Sequence, residues 1–290
     1  METLHPIVSF SYYIAAIALT VLIRNPAVTL GALAGGLCHW AFLTTAKEKR
    51  ADVGFWLPLA LLVTLFNPVF SHNGKTPLFF LNGNAFTFEA TVFGAYSAVL
   101  VIAVLVWSKA YSRVVTSDKF LYLFGGALPK SALILSVALR YIPMLRKDAA
   151  RLKDAGKTVG LYSKGSLTDN FLSSCRVYYA LIGRTLENAV GTAESMRARG
   201  WGRAKRVPYS YYRFKKRDAL VAAFSAVLLA VTLAASVSGA LSFSFYPGLT
   251  APPLSPLAAA AYGAFALYSL VPLILQTEVR LRWRSLQSKL

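Results

Sequence analysis

Arg199 is the charged residue of this chain whose neighbours best suit a specific chemical role. It lies in residues 194–202, Glu-Ser-Met-Arg-Ala-Arg-Gly-Trp-Gly, directly before Gly200. Glycine ends helices at low cost because it adopts the left-handed conformation readily, and a cation near a helix C-terminus interacts favourably with the helix dipole. The planar guanidinium of arginine can also bind a carboxylate through two parallel hydrogen bonds. Ala198-Arg199-Gly200 is therefore either a solvated helix end or a tip that binds an acidic partner.

Two amphipathic helices are predicted to carry such glycine ends. In residues 140–154 apolar side chains recur at spacings of three and four, which indicates one buried helical stripe, and this helix is expected to end near Gly156 or Gly160. The second helix is predicted to start at a cap provided by Thr168 or Asp169. Apolar residues repeat with helical period from residue 171 to residue 196, so it should run as far as Gly200.

The motifs of several common kinds of site are missing from the sequence. Two Gly-Lys-Thr triplets occur at residues 74–76 and 156–158, but Val69 and Arg151 stand where a phosphate-binding loop requires a glycine. The sequence contains no His-Glu-x-x-His, Gly-x-Ser-x-Gly or Cys-x-x-Cys motif, and its two cysteines are far apart. We therefore expect no catalytic residues, no metal site, no disulfide and no cofactor.

The composition indicates an integral membrane protein. Hydrophobic residues make up 56% of the 290 residues, and the mean hydropathy is +0.51. Several apolar runs approach the roughly 20 residues that a helix needs to cross a bilayer. The net charge of +19 would suggest a nucleic-acid partner in a soluble protein, but here the basic residues lie beside apolar runs, where anionic lipids attract them. We expect membrane lipids, and no nucleic acid, among the partners.

Six apolar runs are predicted to cross the membrane. They cover residues 7–23, 27–44, 54–70, 88–107, 219–241 and 257–275. Asn25-Pro26 forms a compact turn between the first two runs, because asparagine can hydrogen-bond its own backbone and proline restricts φ. Gly31 and Gly35 have the spacing that allows close helix contact in lipid, or are simply tolerated there. Residues 71–86 contain one basic residue and are predicted to form an external loop.

A basic block, residues 130–217, lies between the fourth and fifth predicted spans. It carries 19 of the 31 Lys and Arg residues and only 5 Asp and Glu residues. Basic loops lie predominantly on the cytoplasmic side of a membrane, so the block and both chain ends are predicted to be cytoplasmic. Residues 120–142 are apolar enough to form a seventh span, but two glycines, Pro129 and two basic residues interrupt them. An interfacial or re-entrant helix pair is expected there.

The expected fold class is an all-α integral membrane protein with about six transmembrane helices and long cytoplasmic amphipathic helices between the fourth and fifth spans. Three parts are predicted. Residues 1–118 form a four-helix transmembrane part, residues 119–217 an interfacial and cytoplasmic region with the long helices, and residues 218–290 a two-helix transmembrane part with a basic tail. Ionisable residues are scarce in the predicted spans, which argues against a self-contained ion-coupled transporter. Any energy source is expected in another subunit.

Several short motifs resemble those of a known family. They are Asn67-Pro68-Val69-Phe70, Asn73-Gly74, Thr87-Phe88-Glu89, Leu139-Arg140-Tyr141-Ile142-Pro143 and Ala198-Arg199-Gly200. Through these motifs, which spread over most of its length, the chain resembles the transmembrane T component of energy-coupling factor (ECF) transporters. This is the cobalt-transport-protein type of membrane subunit in prokaryotic importers of vitamins and metals.

The resemblance implies a role for the two glycine ends. Members of this family carry two Ala-Arg-Gly motifs at the ends of cytoplasmic coupling helices, which dock into grooves of two ATP-binding-cassette (ABC) ATPases. The second motif is intact here as Ala198-Arg199-Gly200. The first aligns best with Thr158-Val159-Gly160, which keeps the glycine and lacks the arginine, and Lys157 is a candidate substitute for that arginine. An asymmetric pair of ATPases is a natural consequence.

The function implied by the resemblance is that of a non-catalytic membrane scaffold. It would couple two ABC ATPases, identical or different, to a separate substrate-binding membrane S component that imports a vitamin, a metal ion or another micronutrient. Its location would be the plasma membrane of a prokaryote. One alternative is a stand-alone transporter, channel or membrane enzyme whose basic block binds anionic lipid. Another is a scaffold that serves a process other than import.

Overall fold

The computed structural model describes residues 1, 4–71, 74–81, 84–125, 128–161, 166–202 and 212–287. Within these ranges the chain forms nine α-helices and one antiparallel β-hairpin. The helices are α1 (Pro6–Leu22), α2 (Pro26–Leu43), α3 (Ala46–Phe70), α4 (Phe88–Val114), α5 (Ser117–Gly125), α6 (Pro129–Thr158), α7 (Leu167–Ala198), α8 (Lys216–Val237) and α9 (Pro256–Gln287). The hairpin pairs β1 (Pro77–Leu81) with β2 (Asn84–Thr87). The helical membrane fold predicted from the sequence is confirmed.

Five described helices are long and apolar enough to cross a membrane, namely α2, α3, α4, α8 and α9. Helix α1 is apolar but has 17 residues, which amounts to about 26 Å of helix against a hydrocarbon core of about 30 Å. The six predicted spans thus correspond to α1–α4, α8 and α9, of which α1 is the shortest. Helix α9 continues to Gln287, so most of the basic tail expected after the last span is helical.

The chain divides into two compact units. One consists of Met1–Lys119 and Tyr212–Leu290 and contains α1–α4, the β-hairpin, α8 and α9. The other is Phe120–Tyr211 and contains most of α5 together with α6 and α7. The apolar helices from the two ends of the chain therefore share one unit, and the long amphipathic helices belong to the other.

Buried aromatic side chains join the helices of the first unit. The rings of Tyr12 in α1 and Tyr268 in α9 stack with their centroids 4.6 Å apart. The Tyr268 hydroxyl donates to the Tyr12 carbonyl at 2.8 Å, and the Tyr12 hydroxyl donates to the Tyr268 carbonyl in return. The Trp107 indole N–H in α4 donates to the Ala32 carbonyl in α2 at 3.0 Å. A buried polar group without a hydrogen-bond partner costs free energy in an apolar interior. These hydrogen bonds therefore favour the pairing of α1 with α9 and of α4 with α2 over other arrangements of the apolar helices.

Asn25 lies in the turn between α1 and α2, as the sequence predicted, and is the N-cap of α2. Its side-chain oxygen accepts from the Ala27 N–H at 3.0 Å and so caps α2. The side-chain NH₂ group of the same residue donates to the Leu241 carbonyl at 3.1 Å and to the Tyr262 hydroxyl at 2.9 Å. The turn is therefore joined to the segment that leads from α8 to α9.

Helix α2 packs closely against α9 at Gly35. A Cβ atom at this position would lie 2.5 Å from the Cβ atom of Ser269. At Gly31 a Cβ atom would lie 3.7 Å from the nearest atom, in the Phe265 ring, which is ordinary van der Waals contact. Of the two glycines at helix-packing spacing, only Gly35 is required by the contact.

The β-hairpin between α3 and α4 was not predicted, since residues 71–86 were expected to form a loop. The carboxylate of Glu89, in the first turn of α4, accepts from the Thr76 hydroxyl at 2.8 Å and from the Thr76 backbone N–H at 3.3 Å. Glu89 is only 4% exposed. It therefore fastens the start of the hairpin to α4. At the other end of α3, Asp52 pairs with Lys109 and Glu48 with Arg113.

The second unit consists mainly of α6, with 30 residues, and α7, with 32 residues. The run considered as a seventh span is divided between α5, which ends at Gly125, and α6, which begins at Pro129. Helix α7 begins at Leu167 with Ser166 as its N-cap, so the caps expected at Thr168 and Asp169 were wrong. Serine, threonine and aspartate have similar N-cap preferences, and the sequence therefore could not rank these positions.

Candidate functional site

The end of α7 has the geometry of a Schellman motif, a helix end closed by two backbone hydrogen bonds. The Gly200 N–H donates to the Arg197 carbonyl at 2.9 Å, and the Trp201 N–H donates to the Met196 carbonyl at 3.0 Å. Gly200 has a φ of 76°, a conformation that residues with a Cβ adopt only at a cost. Arg199 is the C-cap residue. The glycine predicted to end the helix does so.

The end of α6 has the same geometry. The Gly160 N–H donates to the Lys157 carbonyl at 3.0 Å, and the Leu161 N–H donates to the Gly156 carbonyl at 2.9 Å. Gly160 has a φ of 79°, and the C-cap is Val159. Of the two glycines proposed as the end of this helix, Gly160 is the one that takes the left-handed conformation. We call residues 158–160 the α6 tip and residues 198–200 the α7 tip.

The matching hydrogen bonds define which residues of the two tips correspond. Val159 has φ and ψ of −85° and 3°, and Arg199 has −77° and 9°. Val159 thus holds the backbone position in the α6 tip that Arg199 holds in the α7 tip. By the same register, Lys157 corresponds to Arg197 and not to Arg199.

The two tips differ in charge. Arg199 is exposed, and within the described part of the chain it has no ion-pair partner. Lys157 pairs with Asp154 at 3.1 Å, so the charges of that helical turn cancel. Val159 is 81% exposed. The α7 tip therefore presents a cation, and the α6 tip presents an apolar side chain.

Helices α6 and α7 pack as an antiparallel hairpin. The hydroxyl of Tyr141, in the middle of α6, lies 2.9 Å from the hydroxyl of Thr192, near the end of α7. At the opposite end, the Ser173 hydroxyl donates to the Leu161 carbonyl. Ser173 and Arg199 are 26 residues apart on one helix, which is a distance of roughly 40 Å at 1.5 Å per residue. The two tips therefore lie at opposite ends of the hairpin.

Asp148 stands in the middle of this hairpin and was not singled out by the sequence. It is 5% exposed and lies 3.8 Å from Arg151 in α6 and 4.0 Å from Arg184 in α7. The available signal was the occurrence of one acidic residue among the basic residues 146–153. An aspartate that faces a second helix can fix the position of that helix through its arginine.

Much of the apolar surface of the hairpin is exposed. The α7 stripe identified from its helical period includes Phe171, Tyr178, Ile182 and Leu186, which are 69%, 66%, 55% and 63% exposed. In a buried stripe these side chains would be largely covered. The stripe is therefore available to contact lipid or another protein, since α6 and α7 do not cover it by themselves.

Among the residues whose placement is described, no three His, Cys, Asp or Glu side chains lie close enough together to hold a metal ion. Cys38 and Cys175 are both free thiols and both exposed.

Known proteins are similar to this chain in sequence. The family model described as cobalt transport protein (CbiQ) matches residues 3–209, a range that includes both tips. A curated relative from Lactobacillus helveticus (strain DPC 4571), named energy-coupling factor transporter transmembrane protein EcfT, is 23% identical over 228 residues. The aligned region covers 67% of this chain and 82% of the relative.

Proposed function

The chain belongs to the cobalt transport protein family, and from this premise we propose that it is the scaffold of an ECF-type importer. In this role it transmits the ATP-driven motion of two cytoplasmic ABC ATPases to a separate substrate-binding membrane subunit. It is not itself an enzyme. The name of the EcfT relative supports the assignment to ECF transporters. The cargo is a vitamin, a metal ion or another micronutrient, and the site is the plasma membrane of a prokaryote.

The observation that carries this proposal is the presence of two equivalent tips at opposite ends of one helical hairpin. Each tip ends in a closed Schellman motif with an exposed cap residue, Val159 or Arg199. A separation of roughly 40 Å suits two partner proteins better than two sites on one small domain. A pair of ATPases that move relative to each other would therefore act on the two ends of a single rigid hairpin.

The chemistry of the α7 tip suits an ATPase groove that carries a carboxylate. Arg199 is exposed and lies on the last turn of a 32-residue helix, so it can enter a groove without distorting the helix. The two parallel hydrogen bonds between a guanidinium and a carboxylate form a stronger and more directional interaction than that between a lysine and a carboxylate. In this proposal Ala198 and Gly200 keep the tip narrow, and Arg199 anchors one ATPase.

The exposed apolar stripe of α7 suits the second kind of partner. Phe171, Tyr178, Ile182 and Leu186 are each more than half exposed. A substrate-binding membrane protein has an apolar surface, and amphipathic helices commonly dock their apolar faces into apolar grooves. In our proposal the stripe binds this protein, so movement of the tips is passed to it through the same rigid helices.

The orientation in the membrane follows from the distribution of charge. The larger unit contains the five long apolar helices, whereas the second unit is rich in Lys and Arg. The positive-inside bias places such a basic segment in the cytoplasm. We propose that both chain ends are cytoplasmic as well, which brings the tips to the side where ATP is available.

The test is Arg199→Glu in the assembled transporter. Reversal of the charge should repel a carboxylate in the groove, so we expect loss of one ATPase from the purified complex and at least a tenfold loss of ATP-dependent uptake, the effect of about 1.4 kcal/mol. Membrane insertion should be unchanged. Arg197→Glu is the matched control, since it makes the same charge change about 200° around the helix.

Normal uptake together with normal recovery of both ATPases in Arg199→Glu would contradict the proposal. Transport by the purified chain alone, without any ATPase, would instead support a stand-alone transporter or channel. The two outcomes are separated by reconstituting the chain in vesicles with and without its ATPases.

A further inference from the structure

The α6 tip and the α7 tip share a backbone conformation but differ in the charge of the cap residue, Val159 in one and Arg199 in the other. Both C-cap residues have φ near −80° and ψ near 0°, and both are followed by a glycine with φ near 80°, 79° at Gly160 and 76° at Gly200. The backbone therefore offers a partner the same shape at both ends. The side chain at the cap position is apolar in one tip and cationic in the other.

Lys157 does not supply the cation that the α6 tip lacks at its cap position. It lies two residues before Val159, about 200° around the helix, and its Nζ atom is 3.1 Å from an Asp154 carboxylate oxygen. Its counterpart in α7 is Arg197, which is present in addition to Arg199. Residues 194–199 carry Glu194, Arg197 and Arg199 and so have a net charge of +1. The equivalent residues 154–159 carry only Asp154 and Lys157 and have no net charge.

From these observations we propose that the α6 tip docks through Val159 into an apolar groove of its ATPase, while the α7 tip requires an acidic groove. The inference rests on the proposed function, because it assumes that the α6 tip docks at all. Val159 is 81% exposed, and as the cap residue it would become the most deeply buried side chain of a docked tip. A groove lined with carboxylates would leave them without partners against a valine, which is costly once water is excluded.

In this proposal the two ATPase grooves differ in chemistry. The two ATPases are then different proteins, each matched to one tip, and the alternative is a single kind of groove that tolerates both side chains. Different ATPases follow from our proposal, because a groove complementary to arginine binds valine weakly and an apolar groove that fits valine binds arginine weakly. Each ATPase then recognises its own end of the hairpin, which orients the pair on the scaffold.

The experiment uses the whole complex, with the ATPases that copurify with the wild-type chain, identified by mass spectrometry and then produced together with it. The native thiols are removed by Cys38→Ser and Cys175→Ser. A single cysteine is then placed at Thr158 or at Ala198, which hold equivalent positions beside the two caps. A photoactivatable thiol cross-linker reports which ATPase lies at each tip.

Four substitutions of Val159 test the chemistry of the groove. Val159→Leu keeps an apolar side chain and should cross-link from position 158 within about twofold of the parent. Val159→Thr has the same shape with a hydroxyl and should bind more weakly. Val159→Asp and Val159→Arg bring an unpaired charge into the groove, and each should lower cross-linking at least about tenfold. Cross-linking from position 198 should not change in any of the four variants.

The outcome for Val159→Arg decides the question most sharply. Unchanged or stronger cross-linking in this variant, with a loss in Val159→Asp, would show an acidic groove and overturn the inference. Equal binding by all four variants would also overturn it, because Val159 would then lie outside the contact.

If position 198 cross-links an ATPase and position 158 does not, this inference fails while the role of Arg199 stands. If neither position cross-links and Arg199→Glu transports normally, the proposed function itself fails.

Discussion

The hydroxyl group of Tyr141 in α6 lies 2.9 Å from the hydroxyl group of Thr192 in α7, across 51 residues of sequence. This hydrogen bond joins the middle of α6 to the last turns of α7. Together with the contact between Ser173 and Leu161 at the other end, it sets the antiparallel register of the hairpin. The register in turn determines that the two tips are far apart.

We expect Tyr141→Phe to loosen the hairpin at the end that carries the α7 tip. Removal of the phenol hydroxyl costs the net contribution of one partly buried hydrogen bond, about 1 kcal/mol. Amide hydrogen exchange should therefore speed up in the last turns of α7. Tyr179→Phe is the control, since Tyr179 is 82% exposed. Equal exchange rates in the two variants would mean that the hydrogen bond does not hold the register.

Asp148→Ala is expected to weaken the packing of α6 on α7. The change removes a buried carboxylate and leaves Arg151 and Arg184 without their partner. Because both arginines are half-exposed or more, the loss is limited by solvent to about 1–2 kcal/mol. It can be measured as a lower temperature of unfolding of the purified chain.

Asp154→Ala is the matched control for the change at Asp148. It removes an exposed aspartate from the same helix, whose partner is Lys157, and should change the unfolding temperature little. If the two alanine variants unfold at the same temperature, Asp148 does not position α7.

Gly35→Ala should destabilise the packing of α2 on α9, whereas Gly31→Ala should not. The new methyl group at residue 35 would lie 2.5 Å from the Cβ atom of Ser269, and the one at residue 31 would lie 3.7 Å from Phe265. Overpacking of this kind costs about 1–3 kcal/mol. Thermal aggregation in detergent, followed by size-exclusion chromatography, can compare the two variants. Equal stability would show that α2 and α9 can separate without cost.

A membrane-impermeant maleimide should label Cys175 in inside-out vesicles and not in intact cells. Cys175 is exposed on α7, and our proposal places α7 in the cytoplasm. Cys38 lies within α2, so the lipid should shield it from the reagent in both preparations. Labelling of Cys175 from the outside of intact cells would reverse the proposed orientation.

Features that depend on neighbouring residues were predictable from the sequence. The length of each apolar run indicated the spans because a helix must cover the thickness of the bilayer with apolar side chains. The turn at Asn25 and the helix end at Gly200 were predicted because capping and the left-handed conformation depend on residue type. Even so, local preference alone could not choose between Ser166 and Thr168 as the N-cap of α7.

Features that depend on distant residues were not predictable in the same way. Gly31 and Gly35 are alike in the sequence, and only the position of Ser269 in α9 distinguishes them. The helical period of α7 indicated a stripe of apolar residues, but not that Phe171 and Leu186 remain exposed. The β-hairpin was missed because Glu89, which fastens it to α4, follows it in the sequence and acts through space.

The sequence by itself determined that this is a helical membrane protein with a basic block and two glycine-ended helices. Those properties follow from hydrophobicity, charge and the conformational preferences of single residues. Only the tertiary structure decided that the two helix ends lie at opposite ends of one hairpin. Helix register is set by contacts such as that of Tyr141 with Thr192, and no property of either residue alone specifies its partner.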